Sequence, residues 1–244
     1  MKLKNSVFLT DLFLKIVGYV PPYVLHNVGK AFALKISFWH LNIDQIAGAY
    51  VEFGVASGNS MRSAEIAEKR SQLQSLGINR IKRTLYGFDT FSSFSSQEPN
   101  DSHTVWRGKN FSFELNSVKK RFRRELGRVN LFKLDLSKVF ADKQDLDYYI
   151  KEEFIAIALM DMDLGDPTYQ ALEWIFPKLN DGSIILFDEF FAFAGDPSKG
   201  EHNAWVTFLK EHPQIQYREF FKYGDGGVAF QINFSAKGGN EKAF

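Results

Sequence analysis

Gly48-Ala49-Tyr50-Val51-Glu52-Phe53-Gly54-Val55-Ala56-Ser57-Gly58 begins as a short apolar run, closes that run near an acid, and then sets three small residues between two glycines. From Ser60 the pattern turns helical. The stretch reads as strand, tight turn and helix, with Glu52 at the end of the strand. Glycine suits a backbone that takes a positive φ or lies close to a ligand. The helix beyond the turn presents free N–H groups at its start. In an open α/β sheet, ligands lie outside the carboxyl ends of parallel strands.

The spacing is Gly-x-x-x-Gly after an acid, not the Gly-x-Gly-x-x-Gly of dinucleotide folds. An acid beside the turn repels a pyrophosphate but tolerates a ligand with an ammonium or sulfonium group, of which S-adenosylmethionine (SAM) is one. A purely structural strand-to-helix turn with a surface Glu remains open at this point.

The 244 residues accommodate one large α/β domain with a decoration, at roughly 150 residues per domain. Hydrophobic residues make up 45% of the chain, enough for a sizeable core. Thirty basic against twenty-nine acidic side chains leave a net charge of +1, which gives no drive toward nucleic acid. The basic run Lys119, Lys120, Arg121, Arg123 and Arg124 reads as a solvated helix face. With no cysteine, disulfides, thiolate nucleophiles and zinc–thiolate sites are excluded. Residues 1–20 are interrupted by Asp11 and Lys15, too charged to span a bilayer, and carry no signal-peptide cleavage pattern. The expectation is a soluble, cytoplasmic chain with no membrane span.

Residues 7–20 read as an amphipathic helix stopped by Pro21-Pro22, and 24–37 as a second one; together, residues 1–47 are expected to form an N-terminal helical cap. From Gly48 a β/α alternation runs to about residue 235, followed by a tail, 236–244. Strands are predicted at 49–53, 84–88, 129–134, 154–160, 183–187, 215–221 and 227–232, the last two as an antiparallel edge hairpin around Gly224–Gly226. Helices are predicted at 60–76, 112–126, 167–179 and 201–211, and the polar stretch between the second strand and the next helix reads as a lid over about 91–111.

Five predicted strands end in acids: Glu52, Asp89, Asp135, Asp161 with Asp163, and Asp188 with Glu189. Gathered on one edge, such charges require positive partners. Asp89 ends the strand after the glycine turn, where an acid can hold ribose hydroxyls. Asp161, Asp188 and Glu189, on neighbouring strands and without Cys or clustered His, compose a hard oxygen site suited to Mg²⁺ or Mn²⁺. Asp163, two residues beyond Asp161, is placed to act as a base. The cluster Phe187, Phe190, Phe191 and Phe193 reads as an aromatic stripe at the edge of the core.

The ordered set Val51-Glu52-Phe53-Gly54-Val55-Ala56-Ser57-Gly58-Asn59-Ser60, Tyr86-Gly87-Phe88-Asp89-Thr90-Phe91, Met160-Asp161-Met162-Asp163-Leu164 and Ile184-Ile185-Leu186-Phe187-Asp188-Glu189-Phe190 resembles the macrocin/mycinamicin-type sugar O-methyltransferases, a class I SAM-dependent family. The resemblance implies an α/β, Rossmann-like class I methyltransferase fold. Its sheet is seven-stranded and mostly parallel, with one antiparallel edge hairpin strand and helices on both faces, plus the N-terminal cap.

By the same resemblance SAM meets Glu52, Gly54, Val55, Ala56, Gly58, Ser60, Asp89, Thr90, Asp135 and Asp161. Mg²⁺ sits on Asp161, Asp188 and Glu189, and the catalytic pair is Asp163 with His103 of the lid. A lid residue, Trp106, is a further candidate to cover the ligand. The implied partner is a small molecule with an acceptor hydroxyl, such as a sugar, and the implied assembly a homodimer or higher homo-oligomer through the N-terminal helices.

Three positions depart from the family pattern: Glu189 replaces an Asp, Met162 a Gly, and Gly165-Asp166-Pro167 a Tyr-Glu-Ser. Metal-independent methyl transfer to another oxygen or nitrogen acceptor, and SAM binding without catalysis, therefore stay as alternatives.

Overall fold

The computed structural model describes residues 2–71, 80–92, 113–125, 127–142 and 144–234. Seven strands form one sheet: β1 (Ala49–Phe53), β2 (Leu85–Asp89), β3 (Val129–Lys133), β4 (Ile155–Met160), β5 (Leu179–Phe187), β6 (Ile215–Tyr223) and β7 (Gly227–Phe234), in the order β3-β2-β1-β4-β5-β7-β6. β1 to β5 are parallel, and β7 runs antiparallel between β5 and β6. The order reverses between β1 and β4, and a sheet of this kind opens a crevice at the carboxyl ends of that pair.

Alternation along the strands separates two cores. Tyr50, Leu85, Ile157, Leu159, Ile184 and Leu186 face α2 (Pro22–Ile43), α3 (Asn59–Arg70) and α4 (Leu115–Arg121). Val51, Phe53, Ala158, Met160, Ile185 and Phe187 face α5 (Leu136–Ala141), α6 (Gly165–Ile175) and α7 (Gly200–Glu211). β4 is buried at every position, which explains its unbroken apolar run.

The N-terminal helices behave unequally. In α1 (Lys2–Tyr19), the side chains of Val7, Phe8, Leu9, Leu12, Phe13, Leu14 and Ile16 are exposed. Pro22 opens α2, which runs past the expected end at 37 because Phe38, Leu41 and Asn42 are buried as its inner face continues. Ala33, Leu34, Phe38 and Leu41 lie in the same core as the sheet residues, so α2 is part of the layer that covers the sheet. Among the described residues no single helix is long and apolar enough to cross a membrane; only the segments 7–19 and 22–43 taken together are, and they are bent by 100°.

Other boundaries shift for local reasons. β5 starts at Leu179, before the predicted 183, because Asp181-Gly182 is an irregularity within the strand and not a turn ahead of it, with Gly182 at φ 84 and a break in register against β4. The Ser183 hydroxyl bridges this point by donating to the Ile155 carbonyl at 2.6 Å. α6 starts at Gly165, leaving Pro167 in the first turn, where its missing N–H costs nothing. The short α5 was not expected from the sequence. Of the proposed lid, residues 93–111 lie outside the described residues, as does the tail.

One contact fixes α2 against the far end of the chain. Gly29 packs on Gly224 in the β6–β7 turn so closely that a Cβ there would come within 2.6 Å of the Gly224 nitrogen. On helix propensity alone, Gly29→Ala should stabilise the chain by about 1 kcal/mol. Close packing predicts the opposite sign, a loss of roughly 1–3 kcal/mol. Thermal unfolding of the variant decides between them, and a raised Tm would refute the contact.

Candidate active site

The β1–α3 turn carries the positive φ angles that its glycines announced: Gly54 at 89° and Gly58 at 82°, with Ala56 at 46° between them. A Cβ on Gly54 would overlap the Asp161 carbonyl oxygen, so glycine lets β1 and β4 come together where the crevice opens. Asp89, at the end of β2, accepts the Ala56 N–H at 2.7 Å and the Phe91 N–H at 2.6 Å. Both donors belong to residues in the left-handed region, so one carboxylate holds two strained turns. Burial raises the Asp89 pKa, and the N–H groups of Ala56 and Phe91 oppose the shift.

A cavity of about 860 Å³ runs from this turn across the carboxyl ends of β1, β2, β4 and β5, within the usual range for small-molecule sites. Gly54, Val55, Ala56, Ser60, Asp89, Thr90, Asp135 and Asp161 of the expected cofactor set lie on its wall. Phe53, Phe88, Leu134, Leu136 and Met162 supply its apolar part.

Glu52 and Gly58 of that set are not on the wall. Glu52 shares the α2/α3 side of β1 with Tyr50 and is buried beneath the turn, accepting from the Tyr50 hydroxyl and the Ser60 hydroxyl, each at 2.6 Å. Burial pushes its pKa up to about 8, against the pull of those two hydroxyls. Gly58 instead clears space for Val118 and Phe122, each of which a Cβ would approach within 3.1 Å.

The far end of the cavity holds the acid cluster. Met160 and Phe187 are paired across β4 and β5 and face the α5/α6/α7 side, so the next residue on each strand, Asp161 and Asp188, turns toward α2. There the Lys30 ammonium bridges them, donating to Asp161 Oδ2 at 2.7 Å and pairing with Asp188 Oδ2. His26, one turn earlier on α2, places Nε2 3.0 Å from Asp188 Oδ1 and pairs through Nδ1 with Asp225. The Glu189 N–H is held at 2.9 Å by the buried Glu201 carboxylate, while its own carboxylate lies within 4.8 Å of ligand atoms of Asp161, Asp163, Asp188 and His26. Asp163, at φ 65, lies on the cavity wall.

The charges follow this geometry. Burial favours neutral Lys30, but Asp161, Asp188 and Glu189 outweigh it and hold the ammonium well above its usual pKa. The Asp188 carboxylate raises His26 against its burial. Although burial opposes it, Lys30 and His26 bring Asp188 below the ordinary carboxylate range. Asp161, Asp163, Glu189 and Glu201 are pushed up by burial and then by neighbouring carboxylate charge, that of Asp188 in all four.

Asp161, Asp188 and Glu189 do not converge as one three-ligand set. Two other trios bring one ligand atom per residue within 4.8 Å of each other: Asp161, Asp163 and Glu189, and His26, Asp188 and Glu189. His103 and Trp106 lie outside the described residues. Of the aromatic stripe, Phe187 and Phe190 pack against Trp205 and Phe230 in the core, whereas Phe191 is exposed and Phe193 half-buried. The basic run on and after α4 is exposed.

Lys30, His26 and Glu201 were not anticipated from the sequence. A signal for the first two was present: His26, Lys30, Ala33, Leu34, Ser37, Phe38 and Leu41 recur at helical spacing, so two basic residues extend an apolar face. Nothing local marks Glu201.

A seven-stranded sheet of this order, with helices on both faces and a ligand cavity at the reversal of strand order, is a Rossmann-like methyltransferase fold. Residues 28–212 match the model of the macrocin-O-methyltransferase (TylF) family, so the chain belongs to that family and is a SAM-dependent O-methyltransferase.

Solved structures agree on the fold. The O-methyltransferase NovP aligns with a TM-score of 0.61 at 17% identity, over 84% of this chain and 80% of its own. The calicheamicin methyltransferase CalS11 aligns at 0.59 and 20% identity, over 93% and 92%. The S-adenosylhomocysteine (SAH)-bound methyltransferase PaMTH1 of Podospora anserina aligns at 0.50 and 14% identity, over 92% and 95%. No curated protein sequence matches the chain.

Because Asp89 holds both Ala56 and Phe91, Asp89→Ala should weaken SAH binding at least ~10-fold, the worth of one charge-assisted hydrogen bond. Calorimetric titration reads this directly; unchanged affinity would remove Asp89 from the cofactor site.

Proposed function

We propose that this chain transfers the methyl group of SAM to a hydroxyl oxygen of a sugar or sugar-containing small molecule, with Asp163 taking the hydroxyl proton. The observation that carries this reading is the continuous cavity joining the Asp89 turn to the acid cluster, with Asp163 on its wall. Gly54, Val55, Ala56, Ser60, Thr90 and Asp135 line the half suited to SAM, and Asp89 keeps lone pairs for ribose hydroxyls beyond the two N–H groups it accepts.

SAM supplies an electrophilic methyl carbon, to which the acceptor oxygen bonds as the C–S electron pair leaves with sulfur. The protein's task is alignment, worth up to about 7–11 kcal/mol in well-oriented systems. Asp163 adds general-base assistance of roughly 10²–10⁴-fold. The exposed apolar residues of α1 support pairing with a second copy through this helix.

The Mg²⁺ site expected from Asp161, Asp188 and Glu189 does not fit the side chains present. Lys30 fills the bridge between the first two, and His26 engages the outer oxygen of Asp188. No step of the transfer is therefore assigned to a metal.

The experiment is transfer of labelled methyl from SAM to a panel of free and nucleotide-linked sugars. Wild-type protein should label a sugar hydroxyl. Asp163→Asn should lower kcat by ~10²–10⁴-fold while SAH affinity stays within about twofold. A variant with full kcat would dismiss Asp163 as the base, and a panel with no labelled sugar, despite SAH binding, would dismiss the acceptor class.

A further inference from the structure

Lys30 is buried, yet it lies on the wall of the cavity. Its stem leaves α2 at a point that cannot drift. On one side Gly29 is in contact with Gly224; on the other Ala33 and Leu34 are sealed in the core. The ammonium sits where the two parallel strands β4 and β5 deliver Asp161 and Asp188 side by side. An ammonium has three hydrogens. Two face these carboxylates, which leaves a third donor at the edge of the cavity.

We propose that the Lys30 ammonium is the resident cation of this active site. It takes the place of a divalent metal between Asp161 and Asp188 and offers its third hydrogen to the acceptor oxygen, so that methyl transfer proceeds without Mg²⁺. The proposal rests on the methyltransferase reading above. A divalent ion bridging the same oxygens would meet a positive charge already hydrogen-bonded there, and the two repel. His26 closes the remaining side by engaging the other Asp188 oxygen, and Asp225 holds His26 in turn.

In the transfer, the hydroxyl proton passes to Asp163 as the C–O bond forms. Lys30 keeps its own protons and stabilises the negative charge that grows on oxygen. Fixed donors of this kind act without reorganising at the moment of reaction. With Lys30 in place, Glu189 is released from the ligand role expected of it, and its carboxylate stays among the acids within 4.8 Å of ligand atoms of Asp163 and Asp188.

Mn²⁺, followed by its paramagnetic resonance signal, tests the site without any acceptor. Titrated with wild-type protein and SAH, Mn²⁺ should stay free at millimolar concentration. Lys30→Met should take up about one equivalent, and Lys30→Arg, which retains the charge, should again exclude it. Calorimetric SAH binding is expected in all three chains and reports folding and the cofactor reading separately. Its loss from wild type would overturn the methyltransferase reading rather than the role of Lys30.

With a sugar that wild type methylates, EDTA should leave turnover within about twofold, and Lys30→Met should lower kcat by ~10²-fold at nearly constant KM for SAM. Stoichiometric Mn²⁺ uptake by wild type, EDTA-sensitive turnover, or a Lys30→Met chain that binds SAH but still excludes Mn²⁺ would each overturn the proposal. The wild-type measurements decide even where the variant fails to fold.

Discussion

Like charges gathered on the edge of a sheet are the constraint from which this active site follows. Asp161, Asp163, Asp188, Glu189 and Glu201 lie close enough to shift one another's protonation. Such a cluster survives burial only when positive charge or protons are shared into it. α2 supplies two bases, Lys30 and His26, and both are aimed at the buried Asp188. The position of α2, its continuation to Ile43 and its seat on the β6–β7 turn all serve that delivery.

Strand parity explains why neighbouring acids take different parts. Asp161 and Asp188 each follow a residue buried on the α5/α6/α7 side, so both turn to α2. Glu189 is one position further, and its backbone N–H is held by Glu201. The same rule places Glu52 with Tyr50, under the turn and away from the cavity wall. An acid named by its place at a strand end can therefore be correct in register and still point to the wrong neighbour.

That distinction marks how far the sequence was legible. The succession of strands along the chain, the glycine turn and the cavity-lining acids follow from local signals: apolar runs, glycine spacing and acids at strand ends. The bridge from Lys30 to Asp161 joins residues 131 positions apart, and no local pattern states such a pairing. Nor could periodicity foresee that β5 would pass through Asp181-Gly182, since a positive φ within a strand reads in sequence as a turn. The helix α5 was too short to show a period.

The His26 ring meets the backbone of Asp225 across 199 positions, and this separation shapes how the chain is made. During synthesis domains assemble from the N-terminus onward. Here α2 leaves the ribosome early, whereas the turn that seats it is among the last described segments to appear. Until then His26 lacks Asp225, and the apolar face of α2 lacks the edge hairpin that completes its cover. A nascent chain halted before the final hairpin thus holds every strand-end acid and both bases of α2, but not the turn that seats that helix over them.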